Sequence, residues 1–361
     1  MKNKFFTRQI CACAQIRRHW QEWGINMVSM DKKEKWIRYE KRWKWRDFYF
    51  NKLLRRHGIV KYFHREPVMV HYAHKWVMGA KKTNDYIYDR IMEGKPFMAC
   101  RFGNTELQTI VGELAVQYEG HSPKRDAYLD KWFTRLGKDS GFFPVDYQYL
   151  HPFTRLMLDS CKQIDLIAMW HCNMEDFIIE EYVPHADLTF LFRLEPWLYR
   201  GRPWTAALKG KKVLVIHPFE DSIKAQYPKR KEIWKKHPIL PEFELKTLKA
   251  VQTLCGESDE RFDTWFDALE YMFQEALKID FDVAILGCGA YGFPLAAKLK
   301  AAGKQAIHLG GATQLMFGIK GARWENNYPS KIATFFNDAW VYPGASEKPK
   351  NADTVERGCY W

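Results

Sequence analysis

The chain contains no Cys-x-x-Cys pair; its eight cysteines stand singly or one apart, at 11, 13, 100, 161, 172, 255, 288 and 359. The Cys11-Ala12-Cys13 step has no second pair with which to complete a zinc site. Most of the other cysteines fall in apolar runs, where a reduced thiol behaves as a small hydrophobe, so a reducing compartment is expected. No stretch reaches the roughly 18 apolar residues that a membrane span needs, and no signal-peptide core is visible. A cytoplasmic protein is expected, soluble or peripheral on the inner face of a membrane. Internal repeats and low-complexity linkers are also missing.

Acidic residues are scarce at one end. Residues 1–65 hold 18 Lys and Arg against 5 Asp and Glu, a net of +13, whereas the remaining 296 residues carry 38 of each sign. The basicity therefore belongs to an N-terminal appendage and not to the body. Met1–Ser29 patterns poorly, and translation from Met27 or Met30 is an alternative reading. Wholesale disorder is excluded by 47% hydrophobic and 27% charged residues, with length enough for one large or two ordinary domains.

The body reads as strands alternating with helices. Phe97–Phe102, Ile164–Met169, Leu188–Phe192, Lys212–Ile216, Phe243–Val251, Asp282–Leu286 and Gln305–Leu309 are seven strand candidates, and Phe243–Val251 alternates as a half-buried strand does. Thr83-Asn84-Asp85 can cap a helix that carries Ile87 and Ile91 and ends at Gly94. Further helices are expected at Thr105–Leu114, at Thr264–Lys278 and at Pro294–Ala302. The pattern predicts an α/β chain, a Rossmann-like doubly wound and mostly parallel sheet with a basic helical N-terminal extension. The expected division is an extension over 1–75, a catalytic domain over 76–340 and a polar, peripheral tail over 341–361.

Four strand ends gather chemistry. The first, Gly287-Cys288-Gly289-Ala290-Tyr291-Gly292, spells G-x-G-x-x-G between a strand and a helix, a turn that lets backbone approach a phosphate. A nicotinamide dehydrogenase needs a carboxylate about 20 residues on to hold the ribose; the next strand ends instead in His308-Leu309-Gly310-Gly311, with Gln314 following. Arg101-Phe102-Gly103-Asn104-Thr105-Glu106 offers an anion-binding arginine and, in Glu106 and Asn104, oxygens for a divalent cation. The last, His217 to Tyr227, brings Asp221 and Lys224. Each also has a structural reading, as turn, cap or satisfied core histidine.

The segments Arg101–Glu106, Gly287–Gly292 and Ala306–Gly311 resemble the GT-D-type glycosyltransferases of bacterial surface-glycan pathways, over roughly residues 80–330. That resemblance implies a Rossmann-like fold, a UDP-sugar donor, a glycan or lipid-linked glycan acceptor, and Mg²⁺ or Mn²⁺ on an Asp-x-Glu motif. Asn104 stands where the family has Asp and Thr105 where it has Gly, which removes one carboxylate from the metal. The donor is expected on Arg101, Gly103, Asn104, Lys224, Gly287 to Gly292, His308, Gly310, Gly311 and Gln314. A group must also take the acceptor's hydroxyl proton. Asp221 and then His217 lead for that role, ahead of Glu106 and His308. An NAD(P)-dependent oxidoreductase and a non-catalytic GT-D-like binding protein are the alternatives.

Residues 1–65 interleave Lys and Arg with Trp20, Trp23, Trp36, Trp43 and Trp45, and Lys32–Arg56 can be helical. An anionic membrane surface suits this composition. A helix packed on the body with a solvated basic face suits it too, and nucleic acid is the least favoured partner.

Overall fold

A computed structural model describes residues 30–47, 70–235, 237–257, 259–327, 331–349, 352 and 360–361. The rest of the expected extension, with Cys11, Cys13, Trp20 and Trp23, lies outside the described residues, as does Cys359.

Seven strands form one all-parallel sheet: β3 (Phe97–Cys100), β4 (Leu166–Met169), β5 (Asp187–Phe190), β6 (Lys212–His217), β7 (Glu244–Lys249), β8 (Val283–Leu286) and β9 (Gln305–His308). Their order across the sheet is β5-β4-β3-β9-β8-β6-β7. Every residue of β3, β4, β8 and β9 is buried, which is why β3, β4 and β8 read as unbroken apolar runs. Edge strand β7 is only half buried, but its burial does not alternate as expected: Leu245 and Leu248 pack on opposite faces of the sheet. Successive side chains face opposite layers: Met98 and Cys100 join one core with Ala284, Leu286 and Ala306, and Phe97 and Ala99 join the other with Val283, Ile285 and Ile307.

Helices cover both faces, as a doubly wound sheet requires. In chain order they are α1 (Met30–Asp47), α2 (Ala80–Glu93), α3 (Asn104–Glu119), α4 (Pro123–Ser140), α5 (Leu150–Ser160), α6 (Glu175–Tyr182), α7 (Glu220–Gln226), α8 (Arg230–Trp234), α9 (Trp265–Leu277), α10 (Gly292–Ala301) and α11 (Thr313–Met316). The α9 start carries a capping box between Thr264 and Asp267. Helix α2 begins at Ala80 behind Gly79, three residues before the expected Thr83 cap. Tertiary contacts claim the cap residues instead: the Thr83 hydroxyl lies 2.6 Å from that of Thr189, and Asn84 donates to the Arg202 carbonyl at 3.0 Å.

Helix α1 docks on the body. Trp36 and Tyr39 are buried, and the Trp36 indole donates to Glu119 at 2.8 Å while its ring sits 5.2 Å from Tyr118 and 5.0 Å from Phe177. Lys35 pairs with Glu180 and Glu181. A short hairpin, β1 (His71–Tyr72) and β2 (Lys75–Trp76), then leads through Val77, which bridges to Leu188, into the sheet's β5 edge. The tail from 341 is not peripheral where it is described: Glu347 is buried and accepts the Asp221 and Ser222 N–H groups at the start of α7. Among the described residues no helix is long and apolar enough to cross a membrane.

Candidate functional site

Ile216 pairs with Leu286, Leu286 with His308, and Ala99 with Ile307. Continued one or two residues further, this register puts His217, Gly287, Leu309 and Arg101 in a row at the carboxyl edge. The connections part here, since β6 leads outward to β7 while β8 leads inward to β9. Open α/β sheets place ligands at such a point. A pocket of about 330 Å³ opens over these four strand ends, a volume within the range of small-molecule sites.

Eleven of the expected residues line this pocket: Arg101, Gly103, Asn104, Glu106, His217, Gly287, Gly289, His308, Gly310, Gly311 and Gln314. Three of them hold buried polar atoms that have no hydrogen-bond partner, namely Arg101 Nε, His308 Nδ1 and Gln314 Oε1. Buried polar groups are nearly always paired; these three atoms lie within the pocket wall rather than on its open surface.

Arg101 is held by its surroundings. The Phe102 carbonyl accepts from Arg101 Nη1 and from the Trp170 indole, each at 3.1 Å, and the guanidinium lies 5.6 Å from the Trp170 ring centre. Its other side rests on Gly310, which has φ +65° and whose α-carbon leaves no room for a side chain beneath the guanidinium. The guanidinium is thereby held in place at the pocket wall.

The loop that delivers Trp170 hangs on a buried acid. Glu175 Oε2 accepts the backbone N–H groups of Trp170 and Cys172, both at 3.1 Å, and so braces a turn in which His171 and Met174 are left-handed. Burial pushes the Glu175 carboxyl up to about 8, against the pull of those N–H groups. The folded state thus binds the proton more tightly than the unfolded chain does. The associated stability is complete below about pH 4.5 and is lost as pH rises through about 8. Thermal denaturation from pH 6 to 9 is expected to show a fall on the order of a few kcal/mol. Glu175→Gln, which keeps an acceptor for both N–H groups, flattens that fall; an unchanged profile would contradict this account.

Both histidines are buried and neutral. Burial lowers His217 to about 3, and its Nδ1 accepts the Phe219 N–H at 3.0 Å, so Nε2 carries the proton. His308 is likewise lowered to about 3, by burial and then by the Arg101 charge. Glu106 is raised by burial, an effect opposed by its own backbone N–H, by Arg101 and by Ser140 and reinforced by Asp139. Its carboxylate folds back over Gly103, leaving no space for a β-carbon there.

The remaining expected residues are elsewhere. Asp221 and Lys224 lie on α7, exposed and outside the pocket lining, with Lys224 paired to Glu220 at 2.8 Å. Helix α7 starts just after β6, so its polar face turns away from the strand ends. Cys288, Ala290, Tyr291 and Gly292 also do not line the pocket. The Cys288 thiol is pushed up to about 12 by burial. Tyr291 stacks on Trp265 at 5.0 Å, and Gly292 is filled by the His308 ring. Gly287 spends its N–H on the Ile216 carbonyl. The glycine turn thus serves packing as much as ligand approach.

The structure adds lining residues that strand-end reasoning did not reach: Arg135, Asp139 and Ser140 from the end of α4, Trp170, Gln252, Arg323, Tyr360 and Trp361. Trp170 directly follows β4 and was within reach of the same logic. The α4 residues arrive by helix packing. Asp139 is tied to Arg135 at 2.7 Å.

A divalent cation on Asn104 and Glu106 fits this donor set poorly. Glu106 is the single carboxylate on that turn, and it is turned onto its own helix start. Among the described residues no group of three His, Cys, Asp or Glu stands ready for a metal. The fold and the pocket define a doubly wound parallel α/β protein with a ligand-sized, arginine-bearing cavity at its carboxyl edge. No family model, curated protein or solved structure matches the chain.

Proposed function

We propose that the pocket binds a nucleoside diphosphate and that the chain is a glycosyltransferase using a nucleotide-sugar donor, a UDP-sugar by its resemblance. The observation that carries this reading is one ligand-sized cavity over four strand ends, where Arg101 and His217 meet the glycines at 103, 287, 289, 310 and 311. Arg101 is a fixed, planar donor for a diphosphate. Gln314 is fully buried, and its amide nitrogen serves the Lys320 carbonyl at 2.9 Å, so it shapes the pocket wall.

In the reaction the acceptor hydroxyl oxygen bonds to the anomeric carbon as the bond from that carbon to the diphosphate breaks. The electron pair leaves on the diphosphate, where Arg101 stabilises the growing charge. His217 Nε2–H is a second donor at the pocket wall. The hydroxyl proton goes to Glu106, the lining carboxylate that burial makes more basic; Asp221, exposed on α7, is not placed for it. No step is routed through a metal.

A dinucleotide has less support, because β9 ends in His308 rather than a ribose-binding carboxylate and Gly292 is occupied by that same histidine. The test is a calorimetric titration with UDP, GDP, UDP- and GDP-sugars and NAD⁺, each with and without Mn²⁺. A UDP- or GDP-linked ligand is expected to bind, with Mn²⁺ making little difference. Absence of binding by every diphosphate, or binding of NAD⁺ alone, overturns the reading.

A further inference from the structure

Independently of the pocket, the surface formed by α1 and the β1–β2 hairpin has its own character. Among the described residues the three most exposed large apolar side chains are Trp76 at 76%, Trp45 at 74% and Val70 at 64%. All three belong to the N-terminal part of the chain, and two are indoles. Helix α1 buries Trp36 and Tyr39 on one side. A rotation of 100° per residue puts Arg38, Lys41 and Trp45 together on the opposite side, where all three are exposed.

The hairpin adjoins that face. Lys35, Arg38, Tyr39 and Arg42 of α1 surround one small cavity with His74 and Glu180, and His74 Nε2 lies 3.3 Å from Glu180. Trp76 stands against His71, with ring centres 5.6 Å apart. The hairpin is anchored from beneath by buried Tyr72 and by Lys75, which donates to the Ala186 carbonyl. Trp76 is therefore presented on a fixed support, and His74 of the same hairpin meets the α1 cations.

We propose that this face docks on an anionic lipid surface, with Arg38, Lys41 and Arg42 on the headgroups and Trp45, Trp76 and Val70 at the headgroup–acyl boundary. Cations near such a surface contribute about 1 kcal/mol each, and indoles settle at the interface. The charge agrees in sign, since α1 carries eight Lys and Arg against four Asp and Glu. Nucleic acid would use the indoles for stacking but has no use for an exposed aliphatic Val70, whereas a lipid boundary takes all three.

The test is co-flotation of the full chain with phosphatidylcholine vesicles, with and without phosphatidylglycerol. Partition is expected only with the anionic lipid. The double variant Arg38→Gln/Lys41→Gln lowers it about thirty-fold, two cations at ~1 kcal/mol each. Trp45→Ser/Trp76→Ser lowers it about ten-fold or more and removes quenching by brominated lipid. Arg38 and Lys41 are exposed, so that variant keeps the parent melting temperature, and the tryptophan variant is compared after circular dichroism shows the parent's folded fraction. Equal partition on neutral vesicles, unchanged partition of either variant, or displacement from anionic vesicles by single-stranded RNA overturns the proposal.

Discussion

Arg101→Ala is expected to lower the affinity for a nucleoside diphosphate by about a hundred-fold while leaving the melting temperature close to that of the parent. A hydrogen bond to a charged group contributes about 1.5–3 kcal/mol, and Arg101 lines the cavity. Arg101→Lys keeps the charge but loses the planar donor pair and the stack on Trp170, 5.6 Å away. Its affinity is expected to drop about ten-fold. Titration calorimetry with UDP checks both. Unchanged affinity in the alanine variant would place the diphosphate somewhere else.

Gly287→Ala has the largest expected effect on stability. A β-carbon at 287 would stand 2.6 Å from His217 Cδ2, 2.7 Å from the Gly310 carbonyl oxygen and 2.7 Å from Thr313 Cβ. None of these is the loose end of a flexible chain: they belong to the end of β6, the turn after β9 and the start of α11. Relief requires strand ends to part, and overpacking of this kind costs about 1–3 kcal/mol. The melting temperature is expected to fall on the order of 5 °C. Diphosphate affinity falls as well, because Gly310 carries Arg101. A variant that melts like the parent would show that the turn has slack.

These two variants also show where sequence and structure diverge. The strands were legible because a parallel sheet buried on both faces leaves short, unbroken apolar runs such as Val283–Leu286, whereas the half-buried edge strand β7 keeps only Leu245 and Leu248 as apolar residues. Strand ends were legible as site candidates because polar residues follow those runs directly. Direction was not legible. His217 and Asp221 lie four residues apart, yet one lines the cavity and the other faces out, because the chain turns into α7 at Glu220. The G-x-G-x-x-G spelling implied a phosphate cradle, whereas Gly292 exists to admit the His308 ring, a contact between distant segments that no local pattern records. Helix α4 was passed over although Ser122, Pro123 and Gly141 mark both its ends, and with it went Arg135 and Asp139. In α1 the basic composition concealed Trp36, whose burial depends on Glu119 and Phe177 of other helices.

The most direct measurement is a crystal structure of the protein with UDP. The account predicts the diphosphate on Arg101, above the ends of β3, β8 and β9, with no cation needed at Glu106. A diphosphate bound away from Arg101, or held through a metal on Glu106, would contradict it.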